Sequence, residues 1–322
     1  MKNALSISKD LDFRLALMFL LTLALSFFLI YRIRAGVDIA DLWKVLAQLN
    51  SSNIIGLSLA VLLLIPNWLL EAIKLRYLLH QHRPVALGSC LSSVLTGVTL
   101  GLVTPARLGE YGGRILAFDQ QRRSEVLGST LITSLCQMAI SLLLGAVSAV
   151  ILLRAHQWIS NKWVLAGAIL GIMLMIAAMA YLPTILGYAT QLPWSKPKDI
   201  SKGWLDGITR KGIATNLGYS ALRYIVYTVQ FLLVLVVLGA GVPIGTLLLH
   251  IPLIFLLQTL MPLPPIASLL GRAGAAVIVL SPLGLSDVHI LTASALIWVI
   301  NLVFPAFVGL GLIWKLVSHR GK

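Results

Sequence analysis

Apolar residues run along this chain in blocks of roughly twenty, separated by short polar or basic segments. The blocks of full span length are Leu15–Ile30 and, approximately, Ile54–Ala72, Val126–Leu153, Val164–Leu182, Leu217–Gly239 and Val288–Trp314. A helix rises about 1.5 Å per residue, so blocks of this size match a hydrocarbon layer about 30 Å thick. Three other apolar stretches end at proline. Val85–Val103 stops at Thr104-Pro105, Val242–Leu260 runs into Met261-Pro-Leu-Pro-Pro265, and Ala273–Leu280 ends at Ser281-Pro282. The pattern predicts an all-α membrane protein: six full transmembrane helices plus two Pro-broken re-entrant segments, forming a single integral membrane domain over residues 1–322.

Composition agrees and excludes a water-soluble fold. Of 322 residues, 58% are hydrophobic and only 11% charged, with a mean hydropathy of +0.93, whereas soluble domains carry about 25% charged residues. The net charge of +14 would point to nucleic acid in a soluble chain. Here it reads as basic loops on one face of a bilayer and attraction to anionic lipid. With the amino terminus cytoplasmic, 18 Lys and Arg fall on the cytoplasmic side and 6 on the other, with Arg223 near the inner end of a span. That bias places both termini in the cytoplasm of a multi-pass protein in a bacterial-type plasma membrane. Leu15–Ile30 reads as a retained first span, because Arg32 and Arg34 follow it and no clean cleavage site appears. Cys90 and Cys136 lie in apolar stretches and imply no disulfide framework.

The two breaks are spaced as a repeat. Pro105 and Pro265 lie 160 residues apart. Each follows a span boundary bearing an Arg-Tyr pair (Arg76-Tyr77, Arg223-Tyr224) and precedes a Gly/Arg cluster (Arg107–Arg114, Gly271–Gly274). The charge count has one break opening from each face, so the halves, approximately 40–160 and 161–322, are expected to be inverted repeats. Interrupted segments at matching positions mark a transporter's substrate site. Proline and glycine there leave backbone groups that lipid cannot satisfy.

The densest chemistry is Thr104-Pro-Ala-Arg-Leu-Gly-Glu-Tyr-Gly-Gly-Arg114. In a helix restarting after Pro105, Arg107 and Glu110 are i,i+3, and Glu110 and Arg114 are i,i+4, so all three share a face. Guanidinium forks suit phosphate oxygens, and Gly109 admits a ligand or another backbone. Charge at bilayer depth costs several kcal/mol, so the strip needs partners: its own members, or an anionic head group. Arg272 adds a cation from the other half. Arg76 and Arg223 fit either interface anchors or lipid-phosphate ligands.

The run Thr-Pro-Ala-Arg-Leu-Gly-Glu with Arg114, together with Gly271-Arg-Ala-Gly-Ala-Ala276 and Pro282-Leu-Gly-Leu-Ser286, resembles the flippase-like membrane family that includes the transmembrane region of lysylphosphatidylglycerol synthases. The resemblance runs from the second span to the last. It implies a lipid translocator, with Arg107, Gly109, Glu110, Arg114, Arg272, Arg76 and Arg223 as candidate substrate-binding residues. The implied partners are membrane lipids (anionic phospholipid, aminoacylated lipid or polyprenyl-phosphate lipid) and a lipid-modifying transferase. One position departs: the family commonly has glutamate after this second arginine, and Ala273 stands there, leaving that half more electropositive.

Elsewhere, Glu71 and Lys74 are i,i+3 and read as a local surface pair, with proton coupling the sharper alternative. His250 and Gln258 fit helix-packing hydrogen bonds, and the lysines at 196–211 fit an orientation signal. With no phosphate-binding G-x-x-x-x-G-K-[ST] loop, metal motif or nucleophile elbow, neither a cofactor nor internal ATP hydrolysis is expected. Two other functions remain open on sequence: a non-catalytic membrane partner of a glycosyl- or aminoacyl-transferase, and a polyprenyl-phosphate-dependent transferase with Glu110 as general base.

Overall fold

A computed structural model describes residues 39–81, 83–104, 107–155, 162–181, 184, 209–260 and 265–320. The block Leu15–Ile30, Pro105, residues 261–264 and most of the lysine-bearing loop lie outside the described residues. Those described form helices and their connections, and no strand occurs among them. The helices are α1 (Ile39–Ala47), α2 (Ser51–Leu62), α3 (Leu64–His80), α4 (Leu87–Val103), α5 (Leu108–Leu116) and α6 (Arg123–Ala155). After them come α7 (Lys162–Ala180), α8 (Arg210–Val237), α9 (Ile244–Leu260), α10 (Pro265–Leu280), α11 (Asp287–Trp298) and α12 (Phe304–Arg320).

Four helical units are long and apolar enough to cross a membrane: Ser51–His80 (α2–α3), Gln120–Ala155, Arg210–Val237 and Asp287–Leu316 (α11–α12). The fourth expected span, α7, has a shorter apolar part, Leu165–Ala178. Prolines explain two irregularities. Pro66 collides with the carbonyl four residues earlier, and α2 ends there, at Leu62. Pro305 withholds the amide that Asn301 would bond, and a π turn fills Val299–Val303 between α11 and α12.

The long units α2–α3 and α8 pack antiparallel along a ladder of polar contacts. Asn53 Nδ2 donates to Val237 O. Gln230 Nε2 donates to Ala60 O at 2.7 Å, Arg223 Nε to Asn67 Oδ1 at 2.9 Å, and Asn216 Nδ2 to Lys74 O at 3.1 Å. Every step of seven residues up one helix is matched by seven down the other, which is two helical turns per rung. In lipid such bonds fix register, since apolar burial cannot distinguish one helix face from another.

Helices α4 and α5 form an antiparallel hairpin. Gly113 sits against the backbone of Thr96 and Gly97, and Gly109 against Leu100 O and the Thr104 side chain, so a methyl group at either would collide. The hairpin satisfies its own ends. Ser93 and Thr96 hydroxyls donate to Arg114 O (2.7 Å) and Gly113 O (2.8 Å), carbonyls of the last turn of α5. Two crossed contacts link the parts of the chain. On α12, Gly309 abuts Leu95 and Thr99 of α4, with Thr99 Oγ1 donating to Ala306 O at 2.9 Å. On α6, Gly145 abuts Pro252 and Leu256 of α9, with Ser148 Oγ donating to Leu249 O.

Candidate functional site

The break after α4 restarts as a helix at Leu108, so the expected spacing holds. Arg107 caps α5 with φ 57° and ψ 23°, the only left-handed non-glycine residue among those described. That conformation costs about 1–2 kcal/mol, and residues kept strained in this way cluster at functional sites. The turn is pinned by Thr104, whose carbonyl accepts from Arg107 N (3.3 Å) and whose hydroxyl accepts from Gly109 N (2.7 Å). One turn of helix then aligns the charges. Glu110 Oε2 lies 3.0 Å from Arg107 Nη2, and Glu110 Oε1 lies 2.7 Å from Arg114 Nη2.

Arg114, 2% exposed, extends this strip into the protein. Its Nη2 also meets Glu71 Oε1 at 2.9 Å. The second Glu71 oxygen holds Lys74 Nζ at 3.0 Å and Arg223 Nη1 at 3.2 Å. The Glu71–Lys74 pair exists as its spacing predicts, but it is not on the surface. Both residues are buried, because α6 and α8 pack over that face of α3. Lys74 also donates to Gln137 on α6 at 3.1 Å.

These groups line one cavity of about 380 Å³, within the size range of small-ligand sites. Arg107, Glu110 and Arg114 come from α5 and its cap, Glu71 from α3, Arg223 from α8 and Arg272 from α10. Trp68, Tyr224, Tyr227 and Phe255 supply aromatic wall, and Asn67, Ser134, Gln137, Gln258, Thr259 and Asn301 supply neutral polar groups. Arg223 is no surface anchor: its guanidinium stacks over Trp68 at 5.2 Å.

Five of the candidate residues therefore meet, and two do not. Arg76 is exposed near the end of α3, where its Nε donates to Val85 O at 3.1 Å. Gly109 faces α4 and admits that backbone rather than a ligand. His250 bonds within its own helix, Nδ1 lying 2.7 Å from Thr246 O, whereas Gln258 faces the cavity.

Sequence reasoning passed over the amides. Arg223 donates to Asn67, Asn67 Nδ2 to Asn301 Oδ1 (2.6 Å), Asn301 Nδ2 to Gln230 Oε1 (2.8 Å), and Gln230 to Ala60 O. This chain joins α3, α8 and the π turn beside the cavity. Its signal was the seven-residue spacing of Asn216, Arg223 and Gln230 within an apolar run.

Among the described residues four arginines and two glutamates line the cavity, giving that lining a net charge of +2, with Lys74 a fifth basic group behind Glu71. Both carboxylates are fully engaged. Three guanidiniums are not: Arg107 has one ion pair among the described residues, to Glu110, and Arg114 Nε and Nη1 are buried without a hydrogen-bond partner. Arg272 bonds Tyr227 OH at 2.7 Å and has no carboxylate in ion-pair range among the described residues. Guanidinium N–H groups in such an arrangement match the geometry and charge of oxyanions, phosphate above all. Comparison with curated proteins finds no match. The family model of the lysylphosphatidylglycerol synthase transmembrane region matches residues 19–309, and the chain belongs to that family of membrane proteins.

Proposed function

We propose that this protein is a lipid translocator, in which a polar or anionic head group enters the arginine-lined cavity and crosses between leaflets as two inverted halves rock about it. The observation that carries the reading is a chamber lined from both halves of the chain, with a cationic excess among its described residues. Several features support an inverted repeat about that chamber. Long helix, hairpin helix, break, short helix and long helix follow in the same order in each half. The two leading long units run antiparallel. The crossed contacts are reciprocal, each made by a glycine on the closing helix of one half against the first hairpin helix of the other. Arg114 lies eleven residues beyond the end of α4 and Arg272 twelve beyond the end of α9, which makes them near-equivalent. On this reading α4–α5 and α9–α10 are the re-entrant segments, one from each face, and both termini are cytoplasmic.

Proteoliposomes carrying labelled lipids test the proposal. Leaflet exchange should exceed that of empty vesicles and should fall at least about ten-fold in Arg107→Ala, which removes one cavity guanidinium from a half-buried position and one charge-assisted pair. Rates equal in wild type, variant and empty vesicles across several lipid classes would reject it. Chemical conversion of an added lipid, rather than its movement, would favour a membrane transferase instead.

A further inference from the structure

The charge of the chamber selects among head groups. We propose that its ligand is a lipid whose head group ends in a phosphate monoester or a diphosphate, carrying about two negative charges, and that cationic aminoacylated head groups are disfavoured. The inference rests on the cavity being a lipid site, and it deepens that reading by naming the ligand's charge class.

The first ground is which carboxylates are free. An aminoacylated head group brings an ammonium, which needs an acidic partner when taken out of water. Glu71 already holds Arg114, Lys74 and Arg223, and Glu110 holds Arg107 and Arg114. Among the described residues no other carboxylate lines the cavity. The residue after Arg272 is Ala273, buried and without charge. An incoming ammonium would therefore meet only cations or displace one of five existing ion pairs.

The second ground is the balance left over. The lining carries +2, and Lys74 stands behind it. A phosphodiester brings one charge on two terminal oxygens and leaves the chamber cationic. A phosphate monoester brings three terminal oxygens and about −1.5 to −2 near neutral pH, which cancels the lining charge. The third ground is donor supply. Arg107, the most accessible of the lining cations, has one ion pair among the described residues, to Glu110, and Arg272 on the opposite half bonds Tyr227 OH and no carboxylate among those residues. Two guanidiniums with free N–H groups suit an oxyanion offering three or more oxygens.

The test is a binding series with the full-length chain in detergent micelles, read by tryptophan fluorescence, since Trp68 lines the cavity. The probes are phosphatidic acid, a polyprenyl phosphate, phosphatidylglycerol, lysyl-phosphatidylglycerol and inorganic phosphate. At least one of the two monoester lipids should bind about ten-fold or more tightly than phosphatidylglycerol, with lysyl-phosphatidylglycerol weakest and inorganic phosphate far weaker than the tighter monoester. Which monoester leads identifies the diacyl or the polyprenyl source. In Gln258→Glu, a near-isosteric change that lowers the lining charge to +1, the gap between monoester and diester should narrow severalfold. Equal binding of monoester and diester, tightest binding of the aminoacylated lipid, inorganic phosphate matching the lipids, or no saturable binding of any of them would overturn the assignment. Leaflet exchange measured separately distinguishes the two claims. The predicted binding order without lipid movement removes the translocator and keeps the ligand, whereas preferred movement of the aminoacylated lipid does the reverse.

Discussion

Glu71→Gln is expected to be the most destabilising isosteric change around the cavity, costing about 3–5 kcal/mol. Glu71 is the common anion for Arg114, Lys74 and Arg223, and Lys74 and Arg114 have almost no contact with solvent. Glutamine keeps the shape and one acceptor but removes the charge that offsets two buried cations and the half-buried Arg223. Neutralising a second member of the cluster should therefore restore part of the loss. The double variant Glu71→Gln/Lys74→Gln is expected to be more stable than Glu71→Gln alone, the non-additivity that groups sharing a network show. The fraction of protein remaining monodisperse after heating in detergent, compared across wild type, both single variants and the double, provides the check. A Glu71→Gln protein as heat-resistant as wild type would mean that the cluster is hydrated and contributes little.

Arg272→Gln is expected to leave the fold intact and to abolish most lipid movement, by about ten- to a hundred-fold. The two outcomes separate because of what Arg272 touches. Within the protein it is bonded to the Tyr227 hydroxyl, an interaction glutamine can replace, and no carboxylate among the described residues is left unpaired by its removal. The second half contributes two guanidiniums to the chamber, and Arg223 is committed to Glu71 and Asn67, so the loss of Arg272 removes the one that no carboxylate among the described residues holds. Arg272→Lys sharpens the reading. A lysine retains charge but not the planar fork, so recovery of most of the rate would indicate attraction alone. Persistent loss would indicate bidentate holding of phosphate. Unchanged movement in Arg272→Gln, with normal folding, would show that Arg272 does not hold the head group.

How much of this was legible in the sequence depends on the distance over which each feature is determined. The helical blocks were legible because lipid demands long apolar runs, and the Arg107–Glu110–Arg114 strip because i,i+3 and i,i+4 spacing is a property of one helix. The start of α10 at Pro265 was not, because Gly271 and Arg272 interrupt the apolar pattern that marked only Ala273–Leu280. Glu71 and Lys74 were paired correctly and placed wrongly, since their cover comes from α6 and α8, distant in sequence. The matching Arg-Tyr dipeptides misled for a related reason. Arg76 stands at a helix end beside a loop carbonyl, whereas Arg223 lies mid-helix opposite Asn67, and the dipeptide carries no information on which rung it occupies. The polar ladder could have been read, from Asn53, Asn67 and Lys74 on one helix and Asn216, Arg223 and Gln230 on the other, all at multiples of seven. Taken singly, each resembled an isolated polar residue in a span.

The central claim is that arginines from both halves jointly hold a lipid head group in one chamber within the bilayer. Electron cryo-microscopy of the protein in nanodiscs enriched in phosphatidic acid tests it without a variant. The account predicts head-group density inside the cavity, touching Arg114 and Arg272 together beside Trp68. Head groups confined to the annular lipid, with only water between those two guanidiniums, would contradict it.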